Sequence, residues 1–134
     1  MNRLYDALVI GGGPAGLSTA LTLGRVRRTC IVFSDAKYRN DGIHAVHSVL
    51  SRDHVHPEEI RQLGREQIGR YRNTEYAQTR ITKIGKLKLD HSEIFVAEDS
   101  SGEKWQGRTV VLAMGVKDVF PNIDGYAENW PLNM

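Results

Sequence analysis

The chain has one cysteine, Cys30, in 134 residues. A single thiol excludes an internal disulfide, and it excludes a thiol–disulfide exchange centre built from this chain alone, because exchange needs a second sulfur beside the first. Cys30 falls inside the apolar run Thr29–Phe33, where the expectation is a buried, inert thiol. Long hydrophobic runs are also missing: no stretch approaches the ~20 apolar residues of a membrane span. The first residues are polar (Asn2, Arg3) and enter a strand at Leu4, which does not fit a secretory leader. The expectation is a cytoplasmic protein with no membrane partner. Excess charge of either sign is absent too. The net charge is +2 and the mean hydropathy −0.40, so nothing points to nucleic acid. The one local cluster, Arg25, Arg27 and Arg28, closes the first expected helix, where cations complement the helix dipole. Length allows one domain at most. No internal repeat and no low-complexity tract is present.

What is present starts at residue 11. Gly11-Gly12-Gly13-Pro14-Ala15-Gly16 follows directly on the apolar strand Ala7-Leu8-Val9-Ile10. This is G-x-G-x-x-G between a strand and a helix, the pattern of a dinucleotide-binding βαβ unit. Gly11 permits the tight turn out of the strand. Gly13 lets the backbone approach a pyrophosphate, and Gly16 lets the helix pack closely on the strand. The free N–H groups around Pro14 and Ala15 then face the phosphates. Pro14 costs little in the first helical turn, and Leu17, Ala20, Leu21 and Leu23 keep helical spacing to Val26. Thr29–Phe33 is short, apolar and β-branched, as in a parallel strand covered on both faces. An acidic residue usually follows such a strand and takes the adenosine ribose. Two residues compete for that place: Asp35, which lies 24 residues beyond Gly11, and Ser34.

Residues 36–57 read as a polar loop holding His44, His47, His54 and His56. The spacings H-x-x-H and H-x-H suggest a metal, but no cysteine or compact carboxylate cluster completes a ligand set, so no metal is assigned. Pro57-Glu58-Glu59 opens a second helix, expected to run to Tyr71 with Ile60, Leu63, Ile68 and Tyr71 as its core stripe. The period then changes. Tyr76–Ile84, Lys86–Leu89 and Glu93–Ala97 read as short strands, and Lys104–Met114 as a last strand leading into Gly115. A parallel sheet is expected from Leu4–Ile10, Thr29–Phe33 and Thr109–Ala113. A meander after the βαβ unit points toward a flavin-binding rather than a simple nicotinamide-binding domain.

Several of these segments together resemble the N-terminal part of thioredoxin-reductase-like flavoproteins: residues 6–16, the run Val111-Leu112-Ala113-Met114-Gly115, and Pro121-Asn122-Ile123-Asp124-Gly125. More narrowly, Gly24-Arg25-Val26-Arg27-Arg28, Tyr38-Arg39-Asn40 and His47-Ser48-Val49-Leu50-Ser51-Arg52-Asp53 resemble fungal dithiol oxidases of gliotoxin-type biosynthesis. The resemblance implies an α/β fold, a Rossmann-like FAD-binding βαβ unit with a β-meander, incomplete relative to the family's two dinucleotide-binding domains. Residues 1–120 would be the N-terminal half of the FAD domain and residues 121–134 the start of an interdomain linker. It implies FAD as cofactor, with Ala113 and Gly115 in a further contact and His44 and His47 on a loop that passes the flavin. Met114 stands where the family has threonine. It implies a small-molecule dithiol or disulfide metabolite as partner. The family's Cys-x-x-Cys would fall just past Trp130, so no catalytic residue is assigned within the chain. Apolar surface left for the missing half favours self-association, such as a homodimer, or a partner.

Overall fold

The computed structural model describes residues 3–90 and 92–130. The first strand, β1 (Leu4–Ile10), is buried along its last four residues. Its periodicity of two sends Ala7 and Val9 to one face and Leu8 and Ile10 to the other, so both faces need cover. A turn through Gly11 leads to α1 (Pro14–Arg25), which returns the chain to β2 (Cys30–Phe33), parallel to β1 with Ala7 opposite Cys30 and Ile10 opposite Phe33. At the foot of this pair, the Thr29 N–H and hydroxyl both donate to Asp6 Oδ2 (2.8 and 2.9 Å). These hydrogen bonds hold the Asp6 carboxyl below the usual carboxylate range, the backbone donor contributing most.

After the loop comes α2 (Pro57–Gly69), then β3 (Thr74–Ala77), which adds parallel to the outer side of β2. The chain next folds back over the face that carries Leu8, Ile10, Ile31 and Phe33. Strands β4 (Ile81–Leu89), β5 (Ser92–Asp99) and β6 (Lys104–Leu112) form an antiparallel meander. The upper part of β6 pairs parallel with β1, from Leu4–Gln106 to Ile10–Leu112. The sheet order is β3-β2-β1-β6-β5-β4.

Two cores follow from this order. On one face Ala7, Val9, Cys30 and Val32 meet Leu17 and Ala20 of α1 and Ile68 of α2. On the other, Tyr5, Leu8, Ile10, Ile31 and Phe33 meet Ala97, with Ile81, Trp105 and Val110 packed around them. Phe33 and Trp105 contact edge to face at 5.0 Å. The fold is thus the expected α/β arrangement with a parallel core and a meander.

The strand boundaries after residue 74 differ from expectation. Tyr76 and Ile81 lie not in one strand but in the first and last strands of the sheet order, β3 and β4. The segment Thr74–Ile84 contains no glycine or proline, so no breaker residue marks the change of strand. Long-range bonds fix it: the Thr79 hydroxyl donates to Asp99 Oδ2 (2.8 Å), and the Ser100 N–H donates to the Arg80 carbonyl (3.1 Å). Conversely, Gly85 does not interrupt β4, where it pairs with Val96, so Lys86–Leu89 continues the same strand. The first helix ends at Arg25 with Val26 as its cap, and the second ends at Gly69 rather than Tyr71. The linker reading for Pro131–Met134 lies outside the described residues. Among the described residues no helix is long and apolar enough to cross a membrane.

Candidate functional site

A cleft of about 1300 Å³ opens at the C-terminal ends of β1, β2 and β6. In sheets of this kind ligands bind where successive connections leave in opposite directions, here on either side of β1. Its walls are residues 10–15, 33–35, 37–40, 79–81 and 112–117, with Ile43 and Trp130 at the margin.

The glycine turn forms its floor, and its motif glycines Gly11, Gly13 and Gly16 have different physical reasons. Gly11 has φ +117°, and a Cβ there would meet the Ala113 carbonyl oxygen at 2.2 Å. A Cβ on Gly16 would meet the Gly11 carbonyl oxygen at 1.8 Å. The chain's own packing therefore demands both. Gly13 is the exception. Its φ of −77° suits any residue, and a Cβ there would meet nothing within 4 Å. Packing within the protein does not require glycine at this point, and Gly13 lines the cleft.

Gly13 is also the N-cap of α1. It has no side chain to cap the helix, Pro14 has no N–H to offer, and the first turn carries no acid. The first intrahelical bond there runs from the Leu17 N–H to the Gly13 carbonyl (3.0 Å). Helix geometry leaves the Ala15 and Gly16 N–H groups without an intrahelical acceptor. The second helix makes the contrast. There His56 Nδ1 accepts the Glu58 N–H (3.2 Å), and Glu58 and Glu59 sit in the first turn. The α2 terminus is satisfied within the protein, whereas the α1 terminus faces the cleft with its partial positive charge uncompensated. Side chains reinforce that sign: Lys37, Arg80 and Lys117 line the cleft against one carboxylate, Asp35, while Arg39 is held by Asp118.

At the tip of β2, Ser34 and Asp35 separate. Ser34 is buried; its hydroxyl shares a hydrogen bond with the Tyr38 hydroxyl (3.1 Å) and accepts the Ala36 N–H (3.2 Å). Asp35 is exposed on the cleft wall, accepting only the Lys37 N–H (3.2 Å) among its recorded bonds. The loop that follows is held by Arg61, whose residue type and spacing do not single it out. Its side chain is 7% exposed. The guanidinium lies 3.9 Å from the Tyr38 ring centroid, donates to Glu58 Oε2 (2.9 Å) and reaches Asn40 Oδ1 (3.0 Å). Burial pushes the Tyr38 hydroxyl above its ordinary range, keeping it a neutral hydrogen-bonding group. Across the mouth, Arg39 makes a two-pronged ion pair with Asp118 (2.9 and 3.0 Å). The only sequence trace of this arrangement is the Tyr38-Arg39-Asn40 run.

Gly11, Gly13, Pro14, Ala15, Ser34, Asp35, Ala113 and Gly115 thus come together around one cleft. Gly16 lies beneath its floor, buried against Gly11. His47 does not line the cleft, and neither does His44. His47 instead faces His54 across the loop, because Val46 and Val55 pair as an antiparallel bridge. Cys30 is fully buried, and desolvation pushes its thiol up to about 11.

The sheet order, glycine turn and open helix end define a dinucleotide-binding α/β domain. The model of the pyridine nucleotide-disulphide oxidoreductase family matches residues 5–133, and the chain belongs to that family, whose members are flavoproteins. Over 130 residues it is 45% identical to thioredoxin reductase aclD of Aspergillus oryzae, a match covering 96% of this chain and 40% of that protein. Over 128 residues it is 43% identical to thioredoxin reductase sirT of Leptosphaeria maculans, covering 95% and 38%. Among solved structures, an oxidoreductase from Agrobacterium tumefaciens superposes with a TM-score of 0.84 at 34% identity, covering 95% of this chain and 42% of that one. The chain spans about 40% of the length of the curated relatives it matches.

Proposed function

We propose that the cleft holds FAD by its adenosine-diphosphate half. The observation that carries this reading is the open α1 terminus, where Gly13 leaves room that the protein does not itself fill. The Ala15 and Gly16 N–H groups would receive the pyrophosphate, as helix N-termini receive anions generally. Asp35 would accept from the ribose hydroxyls, since the Ser34 hydroxyl is already engaged. Ala113 and Gly115 would border the dinucleotide from the β6 side. Bound flavin supplies an acceptor and donor for two electrons; this chain's residues bind and orient it. Arg61 sets the loop carrying Tyr38 and Asn40, and Arg39–Asp118 joins the two walls.

On this reading residues 1–120 are the N-terminal portion of an FAD domain and residues 121–134 lead toward a further domain. The whole protein would be a cytoplasmic thioredoxin-reductase-like oxidoreductase that forms or reduces a disulfide in a small metabolite of the epidithiodiketopiperazine class. It would work as a homodimer without nucleic-acid or membrane partners. The 40–45% identity to fungal thioredoxin reductases supports the reaction class. A second reading, a flavin-binding module without thiol chemistry, is favoured for these residues taken alone by Cys30, the one sulfur nucleophile, which is buried and protonated at neutral pH.

The test is a titration of the purified chain with FAD, followed by flavin fluorescence, beside the Asp35→Ala variant. Saturable binding, weakened roughly tenfold or more in the variant by loss of charge-assisted hydrogen bonds, is expected. Absence of saturable binding, or equal binding by the variant, would overturn the assignment.

A further inference from the structure

We propose a zinc-class metal site in the loop between β2 and α2, formed by His47, Asp53 and His54. The sequence spacings pair His44 with His47 and His54 with His56, and neither pair supplies a carboxylate. The structure assembles a different set. Val46 and Val55 bridge antiparallel: the Val46 N–H donates to the Val55 carbonyl and the His54 N–H to the Val46 carbonyl, both at 2.9 Å. This small hairpin sets His47 opposite His54, with ring centroids 4.7 Å apart and planes at 81°. Asp53 reaches both rings. Its Oδ1 lies 3.7 Å from His47 Nδ1, and its Oδ2 lies 3.1 Å from His54 Nε2. The carboxylate is itself steadied, because Oδ1 accepts the Ser48 N–H at 2.9 Å.

The three candidate ligand atoms lie within 4.8 Å of one another, and this is the only such group among the described residues. Tetrahedral zinc with bonds of about 2.0–2.2 Å needs its ligand atoms roughly 3.3 Å apart. The separations of 3.1 and 3.7 Å bracket that value, and the exposed side chains can rotate to reach it. Two imidazoles and one carboxylate suit zinc, or cobalt and nickel, rather than magnesium or calcium, which prefer all-oxygen shells. Three protein ligands leave a fourth position for water. The site lies apart from the dinucleotide cleft, none of its residues being in that lining. It does not depend on the FAD reading.

Two variants remove the ligand set while respecting the backbone. Asp53→Asn keeps an oxygen to accept the Ser48 N–H and loses the charge. His54 has φ 60°, a left-handed conformation that asparagine tolerates, so His54→Asn is the conservative removal. The experiment is calorimetric titration of the metal-free chain with zinc chloride. One equivalent should bind to the chain and to His44→Ala, and binding should fall at least tenfold in Asp53→Asn and His54→Asn. No heat beyond dilution, or unchanged binding in both variants, overturns the proposal. A second measurement needs no variant. Zinc should protect His47 and His54 from diethyl pyrocarbonate, located by mass spectrometry, and modification of both at the metal-free rate overturns it equally.

Discussion

Replacing Gly11, Gly13 and Gly16 separates the fold's requirements from the ligand's. In Gly11→Ala the new Cβ would sit 2.2 Å from the Ala113 carbonyl oxygen, on a residue at φ +117°. Backbone strain of about 1–3 kcal/mol adds to an overpacking cost of similar size, so a loss of about 3 kcal/mol or more is expected. Gly16→Ala faces the Gly11 carbonyl oxygen at 1.8 Å. The gain of about 1 kcal/mol in helix propensity does not offset that clash. Domains of this size have about 5–15 kcal/mol in total, and both variants should unfold at clearly lower urea concentration. Gly13→Ala should behave differently. Its Cβ meets nothing in the protein. Alanine is a poorer N-cap than glycine by about 0.5–1 kcal/mol, and restriction of the unfolded chain returns about 0.4–1 kcal/mol, leaving stability nearly unchanged. FAD binding should nevertheless fall at least tenfold, about 1.4 kcal/mol, and further in Gly13→Val. Urea denaturation and flavin-fluorescence titration of all four variants read both quantities. A Gly13→Ala protein that binds FAD like the parent, or one that loses as much stability as Gly11→Ala, would refute the reasoning.

Arg61→Ala should destabilise the chain by about 2–3 kcal/mol, because it removes charge-assisted bonds to Glu58 and Asn40 and leaves the Tyr38 ring without its cover; a change below about 0.5 kcal/mol in urea denaturation would contradict this. Cys30, its thiol raised to about 11 by burial, should resist Ellman's reagent at pH 8 in the native chain and react fully once unfolded; prompt native labelling would show that the strand is open. Asp6 and Asp99 are both held below the usual carboxylate range, Asp6 by Thr29 and Asp99, at about 2, chiefly by the Ser101 hydroxyl. The native state thus binds these protons more weakly than the unfolded chain. Their stabilisation is complete above the unfolded carboxylate range, near pH 4, and fades as pH falls through the lower native values. Urea midpoints should accordingly drop between pH 4 and pH 2, less steeply in Asp99→Asn; an equal slope in that variant would be contrary to expectation.

The first 35 residues were legible because each local signal agreed with the next: an apolar strand, a glycine turn, Pro14 at the helix start and a second apolar strand. Cys30 could be placed in a buried strand from its neighbours alone. Legibility failed where position depends on residues distant in sequence. Between Ala77 and Ile81 the chain leaves one end of the strand order and starts the meander, which folds over the face of the parallel strands, without a breaker residue; the contacts that fix the step come from Asp99 and Ser100. The burial of Arg61 ran against its residue type, since a cation becomes a core residue only when Tyr38, Asn40 and Glu58 enclose it. The four loop histidines were read by spacing, yet a two-residue bridge pairs His47 with His54 and takes them away from the cleft lining. Nor could sequence distinguish the glycines of the turn: packing demands Gly11, Gly12 and Gly16, and leaves open space at Gly13.

The central claim, that the α1 terminus receives the pyrophosphate of FAD, is tested most directly by amide resonances. With the chain labelled in nitrogen-15, addition of FAD or of ADP should shift the Gly13, Ala15 and Gly16 amides together with that of Asp35, and riboflavin should leave them in place. If those four amides stay fixed while FAD saturates the chain, or move with riboflavin and not with ADP, the cofactor is held elsewhere and the account is wrong.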